Sequence, residues 1–268
     1  LGIGDEIDVH ANLLDNGIDL LISGIDKIDY HKLNIFVDAL SKSSIIRFHR
    51  RLNDNTDELL FTRDLSSLSN KSFSSITFPP PGGFLQATVE GENAILESVI
   101  QGLNENTNTK LICELFCGSG TITLPLLKKH YQIHAFELDK ESLKSLDIAC
   151  KKVGFGNRVM TKERDLKKFP LTSDELSKYD AIIIDPPRSG AKLQFLNLAR
   201  SNVSTIISIS CNINTFVRDA KILIESNYEL KWVQPIDQFL FSAHVELVAI
   251  FQLKYKNVNK KIYNYKKT

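Results

Sequence analysis

The chain has 268 residues, of which 43% are apolar and 24% charged, a composition typical of a folded protein and unlike that of disordered or collagen-like chains. Its 33 lysines and arginines balance 32 acidic residues, so the overall charge indicates no nucleic-acid partner, and any basic binding surface must be local. The longest apolar runs fall far short of the ~20 residues that a membrane-spanning helix needs. At roughly 100 to 200 residues per domain, the length predicts one large domain or two modest ones.

The four cysteines include no Cys-x-x-Cys pair and no finger-like Cys/His spacing. This pattern argues against a zinc site and against a disulfide framework, so we expect no metal. No basic segment followed by an apolar run opens the chain. We therefore expect no secretory signal and a cytoplasmic location.

Residues 1–80 predict a small α+β domain, a candidate for RNA recognition. Residues 4–25 alternate apolar and polar side chains around a turn at Asp15-Asn16-Gly17, which is typical of short half-buried strands. Residues 32–40 have the apolar spacing of a helix, and residues 44–51 predict a strand that ends in the basic run Arg47-Phe48-His49-Arg50-Arg51. The serine-rich segment 66–75 is interpreted as a linker, and the prolines and glycines of residues 79–83 mark the domain boundary.

Residues 81–253 alternate helices and strands regularly. After a helix at 88–103, the pattern predicts strand 110–116, helix 121–129, strand 132–137, helix 140–152, a strand near 159, strand 181–184, helix 191–199, strand 203–210, helix 215–225 and two β-type runs at 230–233 and 245–253. Strands separated by helices predict right-handed crossovers and a parallel sheet covered on both faces. The second domain is therefore expected to be a Rossmann-like α/β sheet, followed by a basic tail at 254–268.

A glycine-containing loop lies between the first strand of this sheet and the next helix, with the sequence Glu114-Leu115-Phe116-Cys117-Gly118-Ser119-Gly120-Thr121. Glycines allow the backbone to approach a ligand closely, but the third glycine of the nicotinamide fingerprint is absent, which disfavours a dehydrogenase. Glu137 ends the next strand, where a carboxylate can accept hydrogen bonds from both ribose hydroxyls. Glu114, ahead of the glycines, suits a ligand with a cationic amino-acid end. A ligand with a ribose and a cationic amino-acid end fits S-adenosylmethionine. The alternative is that Glu114 and Glu137 are solvated strand ends.

Two further acids follow strands of the predicted sheet. Asp165 comes after the third strand and Asp185 after the fourth, and ligands of open parallel sheets bind beyond the carboxyl ends of the strands. The prolines that follow Asp185 stiffen its loop. We therefore expect both acids to face the ligand, with the alternative that Asp165 only caps a helix.

A candidate nucleophile stands in Ser210-Cys211-Asn212, directly after an apolar strand and before a helix. The partial positive charge at a helix N-terminus stabilises a thiolate, so we expect the pKa of Cys211 to be lowered. Cys113, Cys117 and Cys150 are interpreted as buried apolar residues, which is also the alternative for Cys211.

His244 and Glu246 come immediately before the last apolar run. Taken alone, they indicate an exposed strand face. A carboxylate beside a thiolate, however, suits an enzyme that methylates carbon 5 of a pyrimidine. Thiolate addition to carbon 6 makes carbon 5 nucleophilic toward an activated methyl group, and a base must then remove the carbon-5 proton.

Five ordered motifs make a family resemblance specific: Phe84-Leu85-Gln86, residues 114–120, residues 185–190, Ser210-Cys211-Asn212 and His244-Val245-Glu246. With them, residues 80–253 resemble the class I S-adenosylmethionine-dependent RNA 5-methyluridine methyltransferases, which act on tRNA or rRNA. The resemblance implies a class I methyltransferase sheet, Cys211 as the nucleophile and Glu246 as the base. It also implies that six residues surround the cofactor: Gln86, Phe116, Thr121, Glu137, Asp165 and Asp185. Arg188 and His244 belong to the motifs without an assigned role.

The chain departs from the family pattern at three positions. The family usually has proline where this chain has Ile213 and Leu240, and asparagine where it has Thr88. None of these changes removes a reacting group, but they leave the exact substrate open. Some relatives carry an N-terminal β-barrel RNA-binding domain and an iron-sulfur cluster held by four cysteines. No such cysteine cluster is present in this sequence, so we expect either feature, if the protein has it, before Leu1.

An RNA substrate needs cationic phosphate contacts. The sequence offers Arg47, Arg50 and Arg51 with Phe48, then Arg188 and the lysine-rich tail. The target uridine must leave its stack to reach Cys211, which favours a loop or an unpaired site. Three alternatives stay open: an amino-group methyltransferase on the same fold, a DNA cytosine methyltransferase, although Arg188 stands where its nucleophile is usual, and a non-catalytic RNA-binding module.

Overall fold

The computed structural model describes residues 6–25, 30–54, 56–63, 70–72, 75–77, 79–106, 108–239 and 241–254. These residues form thirteen strands and seven helices, arranged as a four-stranded sheet, a seven-stranded sheet and a hairpin. Among them, no helix has the length and apolar character of a membrane span, and no cluster of His, Cys, Asp and Glu side chains could hold a metal ion. The predicted basic tail lies outside the described residues beyond Lys254.

The N-terminal residues form a small α+β unit. Its elements are β1 (Asp8–Leu14), β2 (Gly17–Ser23), α1 (Tyr30–Ser41), β3 (Ile45–Arg51) and β4 (Asp57–Thr62). The strands lie in sequence order, and α1 connects the parallel pair β2 and β3. The first two strands, the helix and β3 follow the predicted pattern, whereas β4 is an additional strand.

Arg47 and Arg50 in the basic run of β3 are buried, contrary to their predicted role in contacting RNA, whereas Arg51 is partly exposed and paired with Asp57. Arg47 is 6% exposed, and its Nε and Nη2 each donate to a carboxylate oxygen of Asp19 at 2.7 Å. Arg50 is paired with Glu58, and Phe48 is buried. The neighbouring strands β2 and β4 supply these acids, so the guanidinium groups are satisfied inside the sheet and do not face a phosphate.

The serine-rich segment is wrongly interpreted as a linker, because part of it is a hairpin. β5 (Asn70–Ser72) pairs with β6 (Ser75–Thr77) in antiparallel fashion. β6 contacts α3 (Thr123–Lys128) and α4 (Lys140–Lys152) of the following unit. The hairpin therefore packs on the second unit, and the domain boundary near residue 80 stays a prediction.

The large sheet contains seven strands in the order β12, β13, β11, β10, β7, β8, β9. Its remaining elements in chain order are α2 (Val89–Asn104), β7 (Leu111–Leu115), β8 (Gln132–Glu137), β9 (Val159–Glu163), α5 (Ser173–Leu176), β10 (Ala181–Ile184), α6 (Lys192–Leu198), β11 (Thr205–Ser210), α7 (Ile213–Ile224), β12 (Tyr228–Ile236) and β13 (Glu246–Leu253). Five strands are parallel, as predicted, but β13 runs antiparallel to both neighbours. No helix separates β12 from β13, so the chain returns directly in the opposite direction.

Two apolar layers hold the helices on the two faces of this sheet. In β10, for example, Ala181 and Ile183 pack into one layer while Ile182 and Ile184 pack into the other. All four residues are buried, which explains why the strand is continuously apolar. Because the five parallel strands end at one edge, the loops that follow β7, β8, β9, β10 and β11 meet there.

Candidate active site

Two adjoining cavities open at the carboxyl ends of the parallel strands, with volumes of about 520 and 280 Å³. Phe84, Gln86 and Asp185 are among the residues that line both. The structure brings all eight predicted site residues to these cavities. Cys211, Glu246 and Asp165 line the larger one, Thr121 lines the smaller one, and Gln86, Phe116, Glu137 and Asp185 line both.

The glycine loop between β7 and α3 forms one wall of both cavities. Phe116, Gly118 and Gly120 have φ angles of +64°, +53° and +90°, and a left-handed backbone is uncommon for a bulky residue such as phenylalanine. The backbone N–H groups of Phe116 and Cys117 fix this turn by donating to the carbonyl of Phe136 at 2.9 and 3.2 Å. A Cβ on Gly118 would have no neighbour within 4 Å, so the backbone there is open to a ligand.

Glu137 and Asp165 face the larger cavity and also hold their own loops. Glu137 accepts hydrogen bonds from the backbone N–H groups of Leu138 at 2.7 Å and of Gly118 at 3.1 Å. Asp165 accepts from the N–H groups of Lys167 and Lys168 at 3.1 Å each, and these bonds lower the pKa of its carboxyl. A carboxylate has about four acceptor sites, so both acids keep sites for a ligand. Asp165 therefore holds a turn at residues 166–168 and not the start of a helix, and it also lies on the wall of the larger cavity.

Glu114 is not available to the cationic end of a ligand, contrary to the sequence-based expectation. Its side chain is 2% exposed, lines neither cavity, and accepts a hydrogen bond from Thr123 Oγ1 at 2.6 Å. Burial, and to a smaller extent the charges of Asp185 and Glu137, raise the pKa of Glu114 to about 8. The residue therefore stabilises the start of α3 from behind the glycine loop.

A hydrogen-bond network ties the loop after β10 to the loop after β11. Asn212 caps α7, since its Oδ1 accepts from the backbone N–H groups of Asn214 and Thr215 at 3.0 and 3.4 Å. Its Nδ2 donates to the carbonyl of Arg188 at 3.2 Å, and Thr215 Oγ1 donates to the same oxygen. The asparagine that follows Cys211 therefore fixes the thiol relative to the proline-rich loop and to Asp185.

The pKa of Cys211 is raised, whereas the sequence predicted that it would be lowered. Burial is the main cause, followed by the charges of Glu246 and Asp185. The helix N-terminus does not compensate, because the side chain of Asn212 already occupies its first free N–H groups. These surroundings favour the thiol of Cys211 over the thiolate.

Glu246 begins β13 and is 3% exposed. The antiparallel register of β11 and β13 pairs Ser210 with Leu247. Cys211 follows Ser210 and Glu246 precedes Leu247, so the same register brings Cys211 and Glu246 opposite each other. Burial raises the pKa of Glu246, and a hydrogen bond from Gln238 opposes this rise. Glu246 also contributes, after burial, to raising the pKa of Asp185 to about 7.

Gln238 is a site residue that the sequence-based reasoning missed. It is buried, its Nε2 donates to Gln86 Oε1 at 2.7 Å, and its side chain lies close enough to Glu246 to lower the pKa of that carboxyl. One amide therefore connects the wall residue Gln86 to the acid opposite Cys211. A polar residue in a loop gives no periodic signal, so only its position before the His-Val-Glu motif could have indicated it.

The segment that carries Phe84 and Gln86 is attached to the N-terminal sheet. Asn12 Nδ2 donates to the carbonyl of Gly83 at 2.8 Å, and Arg47 Nη2 donates to that of Pro79 at 3.0 Å. Leu85 packs against the buried pair Leu14 and Ile46. The N-terminal unit therefore positions one wall of both cavities.

Two of the three departures from the family pattern have a local explanation. Thr88 is the N-cap of α2 and accepts a hydrogen bond from the N–H of Gly91 at 2.9 Å, a role that threonine and asparagine share. Ile213 is the first residue of α7, a position where proline is favoured but not required. Leu240 lies outside the described residues.

Solved structures with the same fold are methyltransferases. A tRNA (uracil-54, C5)-methyltransferase of Pyrococcus abyssi, in complex with S-adenosyl-L-homocysteine, has a TM-score of 0.67 with 18% identity, over 88% of this chain and 56% of that one. A tRNA methyltransferase of M. jannaschii has a TM-score of 0.58 with 12% identity, over 92% and 72% of the two chains. With the observed strand order, these similarities define the fold as that of the class I methyltransferases, which confirms the predicted fold class.

Sequence comparison shows which protein family this chain belongs to. A family model described as tRNA (uracil-5-)-methyltransferase matches residues 69–254, and the chain therefore belongs to this family. An uncharacterized RNA methyltransferase of Agrobacterium fabrum is 44% identical over 65% of this chain and 41% of its own length. Another from Brucella melitensis is 36% identical over 90% of this chain and 55% of its own length. The chain thus spans about half the length of the curated relatives it matches.

Proposed function

We propose that this chain transfers a methyl group from S-adenosylmethionine to carbon 5 of a uridine in tRNA or rRNA, through a covalent adduct on Cys211 and with Glu246 as the base. The observation that carries the proposal is the position of Cys211 opposite Glu246 on one cavity. Family membership supports the same reaction. An amino-group methyltransferase would need neither side chain in that position.

The residues of the two cavities suit the cofactor. Glu137 and Asp165 offer acceptors for ribose hydroxyls, Phe116 offers an aromatic face, and the open backbone at Gly118 allows close approach. Gln86, Thr121 and Asp185 complete the polar lining. When bound, S-adenosylmethionine supplies an electrophilic methyl group.

The protein's own groups perform the remaining steps. The sulfur of Cys211 forms a bond to carbon 6 of the uracil, and the thiol proton leaves for Asp185, the neighbouring carboxyl whose pKa of about 7 suits a proton acceptor. The electron pair released to the ring makes carbon 5 nucleophilic, and carbon 5 takes up the methyl group as the bond between that methyl and the sulfonium sulfur breaks, which leaves S-adenosylhomocysteine. Glu246 then accepts the carbon-5 proton, the double bond between carbons 5 and 6 re-forms, the bond between sulfur and carbon 6 breaks, and the released thiolate recovers its proton from Asp185.

The test uses tRNA and rRNA transcripts that contain 5-fluorouridine, mixed with the protein and S-adenosylmethionine. Fluorine cannot leave carbon 5 as a proton does, so a stable protein–RNA adduct should appear on a denaturing gel. We expect Cys211→Ser to abolish the adduct, and Glu246→Gln to accumulate one even on ordinary uridine. Glu225→Gln, an exposed carboxylate at the end of α7, is the matched control.

Two outcomes would contradict the proposal. Methyl transfer to ordinary RNA without an adduct on the fluorinated RNA would favour an amino-group methyltransferase. RNA binding that survives Cys211→Ala, with neither adduct nor methyl transfer in any variant, would favour a non-catalytic RNA-binding module.

A further inference from the structure

A compact turn separates Gln238 from Glu246. The backbone N–H of Ser242 donates to the carbonyl of Phe239 at 3.1 Å, and that of His244 donates to Ser242 Oγ at 2.9 Å. The rings of Phe239 and His244 meet edge to face, with centroids 6.2 Å apart. These contacts close the base of the turn, and the described residues 241–243 are exposed.

Phe241 lies in this exposed part and is completely exposed, with a relative accessibility of 107%. Its φ angle is +63°, a conformation that bulky side chains rarely adopt. An aromatic ring fully in water contributes nothing to the packing of the described residues. Aromatic side chains, phenylalanine included, are enriched at interfaces relative to the rest of protein surfaces.

The turn is attached to the candidate active site at both ends. Gln238 donates to Gln86, and Glu246 lines the larger cavity. The guanidinium of Arg188, another residue of that cavity, lies 3.1 Å from Nδ1 of His244. The turn that carries Phe241 is therefore attached to the wall of the cavity that holds Cys211.

The rim of this cavity is basic and aromatic. Arg188 and Lys167 line the larger cavity from exposed positions, and Phe84 lines it with 73% of its surface exposed. Cationic side chains beside exposed rings are the combination with which proteins hold single-stranded nucleic acid, the rings stacking on bases and the cations contacting phosphates. Extruding a target base also leaves its neighbours with an open stacking face.

We propose that Phe241 stacks on an unpaired nucleobase next to the target uridine, while Arg188 contacts the phosphate between them. The inference rests on the proposed function, because it places the reacting uridine at Cys211. A protein partner fits less well, since the two exposed rings of Phe84 and Phe241 fall far short of the apolar area of a stable protein interface.

The experiment measures binding of an RNA hairpin whose seven-nucleotide loop contains one uridine followed by 2-aminopurine. We expect Phe241→Ala to weaken binding about tenfold to a hundredfold, the loss typical of one base–aromatic stack. Phe241→Trp should bind as the wild type does. Quenching of 2-aminopurine should accompany binding to the wild type and to Phe241→Trp, and disappear with Phe241→Ala. Phe169→Ala is the matched control, because Phe169 is also exposed but lines neither cavity.

Equal affinity of the wild type and Phe241→Ala for the hairpin would overturn the inference, and so would a wild type that does not bind the loop. Methyl transfer to the tRNA and rRNA transcripts, measured in parallel, separates this result from the proposed function. Transfer by the wild type and Phe241→Ala with the same KM would refute the stacking alone. Binding that depends on Phe241, without any transfer or adduct, would refute the methyltransferase activity while the stacking stands.

Discussion

Cys211 and Glu246 face each other across the antiparallel pair of strands β11 and β13, directly beyond the pairing of Ser210 with Leu247. Directly opposite residues of an antiparallel pair have Cα atoms about 4.5 to 5.5 Å apart. The two groups are therefore held by the register of a buried sheet and not by a flexible loop. A slip of one residue would turn Glu246 to the other face of the sheet, so the apolar pattern of β13 also determines the position of the acid.

The first prediction concerns the reactivity of Cys211 with iodoacetamide, which modifies the thiolate. We expect an apparent pKa above the ~8.5 of an ordinary thiol, because burial and the charges of Glu246 and Asp185 raise it. Removing either negative charge lowers the pKa, so Glu246→Gln and Asp185→Asn should each react faster at pH 8. The other three cysteines are buried, which makes the assay selective. A wild-type value below 8, or equal rates in all three proteins, would contradict the electrostatic explanation.

The second prediction concerns Gln238 as a positioning residue. Its hydrogen bond lowers the pKa of Glu246, so Gln238→Ala should raise that pKa and move the acid limb of the kcat profile of methyl transfer to higher pH. We also expect kcat to fall about tenfold to a hundredfold, because Gln86 and Glu246 lose a shared donor. Gln234→Ala in β12 is the control, since that side chain is exposed and donates only to the carbonyl of Pro235. If the acid limb of the kcat profile does not shift in Gln238→Ala, Gln238 does not position Glu246.

The third prediction compares glycines with positive φ. Gly120 has a φ of +90°, and a Cβ there would overlap Leu146 Cδ1, whereas Gly154 has a φ of +76° with open space around it. Both alanine variants carry a left-handed backbone cost of about 1 to 2 kcal/mol. Gly120→Ala should lose about 1 to 3 kcal/mol more from overpacking. Urea unfolding checks the difference, and equal losses would show that Leu146 can move aside.

Gly118→Ala provides the fourth prediction, at a site where a methyl group meets no neighbour within 4 Å at a φ of +53°. Its cost in stability should resemble that of Gly154→Ala. Because Gly118 lines both cavities, the added methyl group should nevertheless weaken binding of S-adenosylmethionine, measured by isothermal titration calorimetry. Unchanged affinity would place the cofactor away from this part of the loop.

The fifth prediction concerns the buried ion pair of Arg47 and Asp19. Arg47→Met leaves the Asp19 carboxylate buried without its partner and should lower the free energy of unfolding by about 3 to 5 kcal/mol. Lys42→Met breaks the exposed pair with Asp38 and should cost no more than about 1 kcal/mol. The double variant Arg47→Met/Asp19→Leu should recover most of the loss, and urea unfolding of the three proteins measures all these values. Similar losses in the two single variants would show that Arg47 is effectively solvated.

Much of the large sheet could be predicted from sequence because its strands are short apolar runs between amphipathic helices. Ala181–Ile184, for example, is predicted and observed with the same bounds. The reversed direction of β13 could not be predicted from its own residues, because the direction of a strand is set by its connection. The β5–β6 hairpin was missed because it is polar and only three residues long on each side, and its position depends on contacts with α3 and α4.

Glu137, Asp165, Asp185 and Cys211 could be placed at the cavities because they end or follow strands, whereas Gln86, Phe116 and Thr121 were implied only by the family resemblance. The electrostatics of the site could not be predicted from the sequence. The pKa of Cys211 depends on Glu246, which is 35 positions later in the sequence and becomes a neighbour only through strand pairing. The arginines of β3 looked like a basic surface because Asp19, the partner of Arg47, lies 28 residues away. In both cases the decisive neighbour is distant in sequence and is brought close by a sheet.

The bonds from Asn12 to Gly83 and from Arg47 to Pro79 have a mechanical consequence. They attach the four-stranded sheet to the short segment that places Phe84 and Gln86 on the walls of both cavities. A rotation of that sheet, such as a bound macromolecule can impose, would shift these two side chains, and through Gln238 it would reach the carboxylate of Glu246. The N-terminal sheet and Glu246 are therefore connected through two intermediate side chains, Gln86 and Gln238.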